Sequence, residues 1–110
     1  MARIAKDLSR FAKPEIDKAF KMARRVVKHA SLHLLIAPQQ AAHGRILIII
    51  PKKVATAPVR NKIKRRLKSV FYEEKLYDKG KDCIAIAKRG AGDLTFNELK
   101  TMLLNAFKSS

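Results

Sequence analysis

RILIIIPKKVATAPVRNKIKRRLKSVF, residues 45–71, joins an apolar run to a basic amphipathic segment across a single proline. Ile46 to Ile50 is too short for a surface helix and apolar on both faces, as expected of a central strand packed from both sides. Pro51 ends it. Thr56 offers a side-chain oxygen as a helix cap, and Pro58 falls in the first turn, where a missing N–H costs nothing. Val59, Ile63, Leu67 and Val70 then recur at spacings of four, four and three, which draws one apolar stripe along a helix. A strand followed by such a helix predicts a sheet with helices packed on it.

The flanking chain supplies the other elements. Downstream, Gly80 marks a turn and "DCIAIAK" reads as a buried strand. Thr95 and Glu98 form a capping box, with Leu94 and Leu99 at the two positions of a hydrophobic staple, so a last helix is predicted over about 96–108. It buries Phe96, Leu99, Met102, Leu103, Ala106 and Phe107. Upstream, Pro14 opens a helix of roughly 14–23 in which Ile16, Ala19, Phe20 and Ala23 fall at helical spacing. From Val26 to Ala37 the pattern alternates, Leu32, Leu34 and Ile36 on one side, His33 and Leu35 on the other. The order is α-β-β-β-α-β-α: an α/β (α+β) two-layer sandwich with a single mixed sheet. Pairing the strands on either side of the basic helix in parallel makes a βαβ crossover, for which backbone twist favours the right-handed form.

Composition bounds the partner. The 110 residues carry 25 Lys+Arg against 9 Asp+Glu, a formal net charge of +16, and that excess is expected to meet a polyanion. At 47% hydrophobic, the chain is too apolar for a disordered basic tail, and residues 1–110 are expected to fold as one RNA-binding domain. No apolar stretch approaches the roughly 20 residues of a membrane span, so a cytoplasmic protein without a membrane partner is expected. Cys83, the single cysteine, lies in an apolar run and is expected to be a buried small hydrophobe.

The basic helix is more than a solvated face. Solvated helices pair bases with acids three or four residues away, yet no Asp or Glu occurs between Lys18 and Tyr72. The cations also crowd the N-terminal half, where the helix dipole opposes them and where an arriving phosphate would be welcomed. Asn61 is the one amide among them and could reach base, sugar or phosphate. Catalytic groupings are poor: His29, His33 and His43 have no neighbouring acid to orient them, and no paired-carboxylate or glycine-rich phosphate motif occurs.

Lys52–Phe71, "KKVATAPVRNKIKRRLKSVF", resembles the signature of the bacterial ribonuclease P protein family: a Lys-Lys pair, a small-residue stretch, then Arg-Asn-Arg-x-x-Lys-Arg on a helix. Ile86–Phe107, "IAKRGAGDLTFNELKTMLLNAF", is similar to that family's last strand, loop and helix. The resemblance covers about Phe11 to Lys108. It implies a ribosomal-protein domain-2-like fold whose βαβ crossover is left-handed, against the expectation from twist. It also implies an accessory subunit of an endoribonuclease that matures the 5′ end of tRNA, with no protein catalytic residues and no obligate protein partner. The partners implied are the catalytic RNase P RNA and precursor tRNA with its 5′ leader. Mg2+, held mainly by the RNA, would carry the chemistry.

Carried over by position, the RNA contacts fall on Lys52, Lys53, Arg60, Asn61, Lys62, Lys64, Arg65 and Lys68, and the leader cleft on Phe20, Ile16 and Leu34. Lys62 stands where the family pattern has a second arginine, keeping charge but losing the two-pronged fork. Ile16 and Leu34 replace frequent aromatics, and Ala55 a frequent glycine. Two other classes share some of these features. A structural ribosomal RNA-binding protein would show the charge and core without the Arg-Asn-Lys motif, and a self-sufficient ribonuclease would depend on its histidines.

Overall fold

The computed structural model describes residues 10–108. Its elements follow the expected order: α1 (Lys13–Met22), β1 (Arg24–Lys28), β2 (Leu32–Pro38), β3 (Ile46–Ile49), α2 (Ala57–Glu73), β4 (Lys81–Ala87) and α3 (Phe96–Lys108), with short 3-10 turns at Leu76–Asp78 and Ala91–Asp93. The strands form one mixed sheet in the order β1-β2-β4-β3. β2 pairs antiparallel with both β1 and β4, whereas β3 and β4 are parallel, so β3-α2-β4 is a crossover between adjacent strands.

This order corrects one expectation. β3 is an edge strand, and only Ile46 in it is buried, while Leu47, Ile48 and Ile49 are partly exposed. The central position belongs to β4, whose Cys83, Ile84 and Ala85 have no exposed surface. An all-apolar run reports that both faces are apolar, but not whether a neighbour pairs on each edge.

The two sheet faces are covered unequally. Leu32, Leu34, Ile36, Ile46, Cys83 and Ala85 share the main core with Ile63, Leu67 and Phe71 of α2 and with Leu99 and Leu103 of α3. Leu35, Ala37 and Ile84 point the other way and meet Ala19 of α1, with Leu47, Ile49 and Ile86 around them only partly buried. Sheet plus α2 and α3 make two full layers, and α1 lies across part of the remaining face. Full burial of a side chain such as Phe71 or Leu67 is worth about 1.5–3 kcal/mol, so the helix-covered face dominates stability.

The last helix begins as its capping box dictates. The Thr95 N–H donates to Glu98 Oε1 at 2.8 Å and the Glu98 N–H to Thr95 Oγ1 at 3.1 Å. Leu94 and Leu99 are both buried in the main core. The Thr56 side chain makes no cap hydrogen bond, although Thr56 is the N-cap of α2 and Pro58 lies in its first turn. Cys83 is free and fully buried, and burial pushes its thiol pKa up, as suits an inert core residue. No helix among the described residues is long and apolar enough to cross a membrane.

Candidate nucleic-acid interface

α2 is held to the core by Ile63, Leu67, Val70 and Phe71, so the angular position of every other side chain on it is fixed by helical spacing. Lys64 and Lys68 line a cleft of about 160 Å³ with Leu47 and Ile48 of the β3 edge. Arg60, one turn earlier, continues that row, and Asn61 and Arg65 form the next row outward. Lys62 falls on the opposite flank beside Arg66, whose Nη1 donates to the Leu94 carbonyl at 2.8 Å. Thus Arg60, Asn61, Lys64, Arg65 and Lys68 come together, Lys62 stands apart, and Arg66 ties α2 to the loop before α3.

Lys52 and Lys53 are exposed on the turn between β3 and α2, which closes with a Val54 N–H to Pro51 carbonyl bond of 3.0 Å. Arg60 Nη1 donates to the Ala55 carbonyl at 2.8 Å and fastens this turn to the first turn of the helix. Lys75 is the one non-glycine residue with positive φ among the described residues. Ala55 therefore occupies its position without the left-handed backbone that would demand glycine.

Among the described residues, none of Lys52, Lys53, Lys62, Lys64, Arg65 or Lys68 forms an ion pair, unlike Arg45 with Glu15 and Lys100 with Glu74. The first turn of α2 contains no acid and its last turn no base. Its charges oppose the helix dipole at both ends, an arrangement that an anion at the N-terminal half would relieve.

Beside this helix lies the open part of the sheet. Leu47, Ile49 and Ile86 give it an apolar floor, and His33 is half-buried on the same face of β2. Burial, followed by the nearby charges of Arg25, Lys88 and Lys28, lowers the pKa of His33, so its ring is neutral at neutral pH. α1 borders the floor. Its Glu15, Lys18 and Met22 face Pro38, Gln39 and Gln40, while Ile16 and Phe20 share the other flank at i, i+4 spacing. Phe20 is 41% exposed, so its helical spacing does not seat it in the core.

Leu34 also requires correction. It is fully buried against α2 and α3, on the face away from α1, and cannot line a cleft beside α1. One residue of displacement along a strand exchanges faces, and the side chains that do face α1 are Leu35 and Ala37.

The histidines do not converge. The His29 ring nitrogen Nδ1 accepts from the Ser31 N–H at 3.0 Å, and His43 Nδ1 lies 2.9 Å from the Gly44 carbonyl, which it meets as a donor. Among the described residues no three His, Cys, Asp or Glu side chains are grouped to hold a metal ion. The site offers cations, one exposed amide and an apolar floor, which can bind and orient a polyanion.

Three comparisons with known proteins agree with one another. A family model described as Ribonuclease P matches residues 7–110. The ribonuclease P protein component of Bacillus velezensis is 36% identical over 97 residues, covering 87% of this chain and 83% of its own. The Staphylococcus aureus RNase P protein structure superimposes with a TM-score of 0.76 at 25% identity, covering 93% of this chain and 94% of that one. The Thermotoga maritima RNase P protein gives 0.75 at 20% identity over 93% and 96%, a likeness of fold.

Proposed function

The chain belongs to the ribonuclease P protein family, and on that premise we propose that it is the protein subunit of a ribonuclease P ribonucleoprotein that matures the 5′ ends of precursor tRNA in the cytoplasm. The observation that carries this reading is the adjacency of two unlike surfaces. A cationic helix face without acidic partners meets an apolar sheet floor along the Lys64–Lys68 cleft. Phosphates fix position, whereas unpaired bases seek apolar surface, so a surface with both properties suits single-stranded RNA.

In this reading Lys52, Lys53, Arg60, Lys64, Arg65 and Lys68 neutralise backbone phosphates of the catalytic RNA and of the leader, and Asn61 supplies a polar contact. The leader crosses the floor of Leu47, Ile49 and Ile86 beside Ile16 and Phe20. Lys62, on the far flank, touches phosphate as a point charge if the RNA wraps the helix. The phosphodiester is hydrolysed by the RNA with its Mg2+ ions; the protein's own residues bind, orient and screen charge. A photoreactive nucleotide in the leader of a reconstituted complex tests the path. Cross-links to peptides bearing Phe20, Leu47, Ile49 or Ile86 are expected, whereas cross-links confined to α3 would contradict it.

A further inference from the structure

Arg45, at the entry to β3, is buried to 6% exposure. Its backbone is fixed in the sheet: its N–H donates to Asp82 Oδ1 at 2.9 Å, and its carbonyl accepts the Cys83 N–H at 2.8 Å. Its guanidinium points at the start of α1. Nη1 donates to Glu15 Oε1 at 3.0 Å, Nη2 to Glu15 Oε2 at 3.2 Å, and Nη1 also to the Arg10 carbonyl at 2.7 Å. The Phe11 ring lies against it, with the guanidinium carbon 4.2 Å from the ring centroid.

Glu15 is in turn committed to the helix it opens. Its Oε1 accepts the Ala12 N–H at 2.8 Å, capping α1, and its carbonyl accepts Gln40 Nε2 at 2.9 Å. The guanidinium of Arg45, together with the Ala12 bond, holds the Glu15 carboxyl below its ordinary pKa. Neighbouring Gly44 presses the same corner together: its N–H donates to the Tyr77 carbonyl at 2.7 Å, and a Cβ there would collide with the Lys81 carbonyl.

Against these anchors, apolar packing of α1 is slight. Ala19 is its one fully buried residue, and two of its large side chains, Phe20 and Met22, are 41% and 55% exposed. A helix seated on an alanine has little shape complementarity to fix its tilt. A two-pronged guanidinium–carboxylate pair is directional.

We propose that Arg45, acting through Glu15, is a positioning residue that sets the tilt of α1 over the sheet and thereby the part of substrate affinity that depends on the 5′ leader. The inference rests on the leader path given above. The cations of α2 are anchored separately, through Ile63, Leu67, Val70 and Phe71 on the opposite sheet face. Contact with the catalytic RNA through α2 and the share of leader contact made beside α1 are therefore separable.

The test compares wild type with Glu15→Gln, Arg45→Lys and Arg45→Met in the reconstituted complex. Affinity is measured for precursor tRNA with its single-stranded leader and for the same tRNA without it. In wild type the leader tightens binding. Arg45→Met, which removes the fork that seats α1, reduces that increment by about tenfold, the size of one lost charge-assisted hydrogen bond. Arg45→Lys, which keeps the charge without the fork, and Glu15→Gln give intermediate losses. KM for the leader-bearing substrate rises while the rate at saturating substrate and the affinity for the catalytic RNA hold. A purely structural role would weaken substrate binding, the rate at saturating substrate and the affinity for the catalytic RNA together. Glu15→Gln, a change at a partly exposed carboxylate, keeps the test informative if Arg45→Met fails to fold. Variants that fold and retain the full increment overturn the role of Arg45 alone. A wild-type complex with no leader increment overturns the leader path and this role with it.

Discussion

Arg65 and Arg66 are sequence neighbours with opposite expected roles, and exchanging each for alanine separates them. Arg65 is exposed, without an ion pair, and one row from the Lys64–Lys68 cleft. Arg66 spends its guanidinium on the Leu94 carbonyl. If the six cations on the sheet side of α2 and its preceding turn each meet a phosphate, affinity for the catalytic RNA falls about 10³-fold between about 50 and 200 mM salt, on the slope of duplex nucleic acid. Losing Arg65 removes close to one unit of that slope, so the variant's affinity falls about three- to fourfold less over the same range. Its stability stays within about 0.5 kcal/mol of wild type, as for an exposed side chain outside any network. Arg66→Ala instead loses a charged donor to a part-buried carbonyl and costs on the order of 1 kcal/mol of stability, with the salt slope kept. Fluorescence anisotropy against salt, with urea unfolding alongside, reads both quantities. An unchanged slope in Arg65→Ala, or equal slope losses in the two variants, would refute the division of the helix into phosphate-binding and structural rows.

Leu34→Ala should cost about 2–5 kcal/mol in urea unfolding, as for a fully buried core residue; a loss well below 1 kcal/mol, together with weaker leader binding, would return Leu34 to the cleft. Thr95→Ala removes the acceptor for the Glu98 N–H and should lower stability by about 1 kcal/mol, with no change in RNA affinity beyond that from unfolding. Burial raises the pKa of Asp82 above its ordinary value of 3.8. Its stability contribution is therefore complete below the unfolded pKa and is lost as pH rises through the folded one. Asp82→Asn should thus gain stability relative to wild type as pH is raised from below 3.8 towards neutrality; a difference that does not change with pH over that range would contradict the buried-charge account.

Local signals in the sequence were the dependable ones. The Thr95–Glu98 box, the Val59–Val70 stripe and the alternation along β2 concern residues within a few positions of each other, where backbone geometry alone decides the outcome. The cations of α2 were legible for a related reason, since the absence of acids from Lys18 to Tyr72 rules out local neutralisation. Features set by pairing across the chain carry no such local signal. β3 became an edge because β4, more than 30 residues later, inserts between it and β2. The alternation places Leu34 and Leu35 on opposite faces, yet nothing within β2 says which face α1 covers. Phe20 fits a helical apolar pattern, but the surface beneath α1 is filled by Ala19. Arg45 gave no signal, because its carboxylate partner Glu15 lies 30 residues upstream and an isolated arginine before a strand is usually solvated.

The central claim is that this protein works as a partner of a catalytic RNA, contributing position and charge while the RNA contributes chemistry. It is tested most directly by cleavage of a precursor tRNA leader at low magnesium, with the protein alone, a bacterial ribonuclease P RNA alone, and the two together. Cleavage is expected to be absent with protein alone and strongly enhanced in the mixture over RNA alone. Cleavage by the protein alone, or no enhancement despite tight RNA binding, would contradict it.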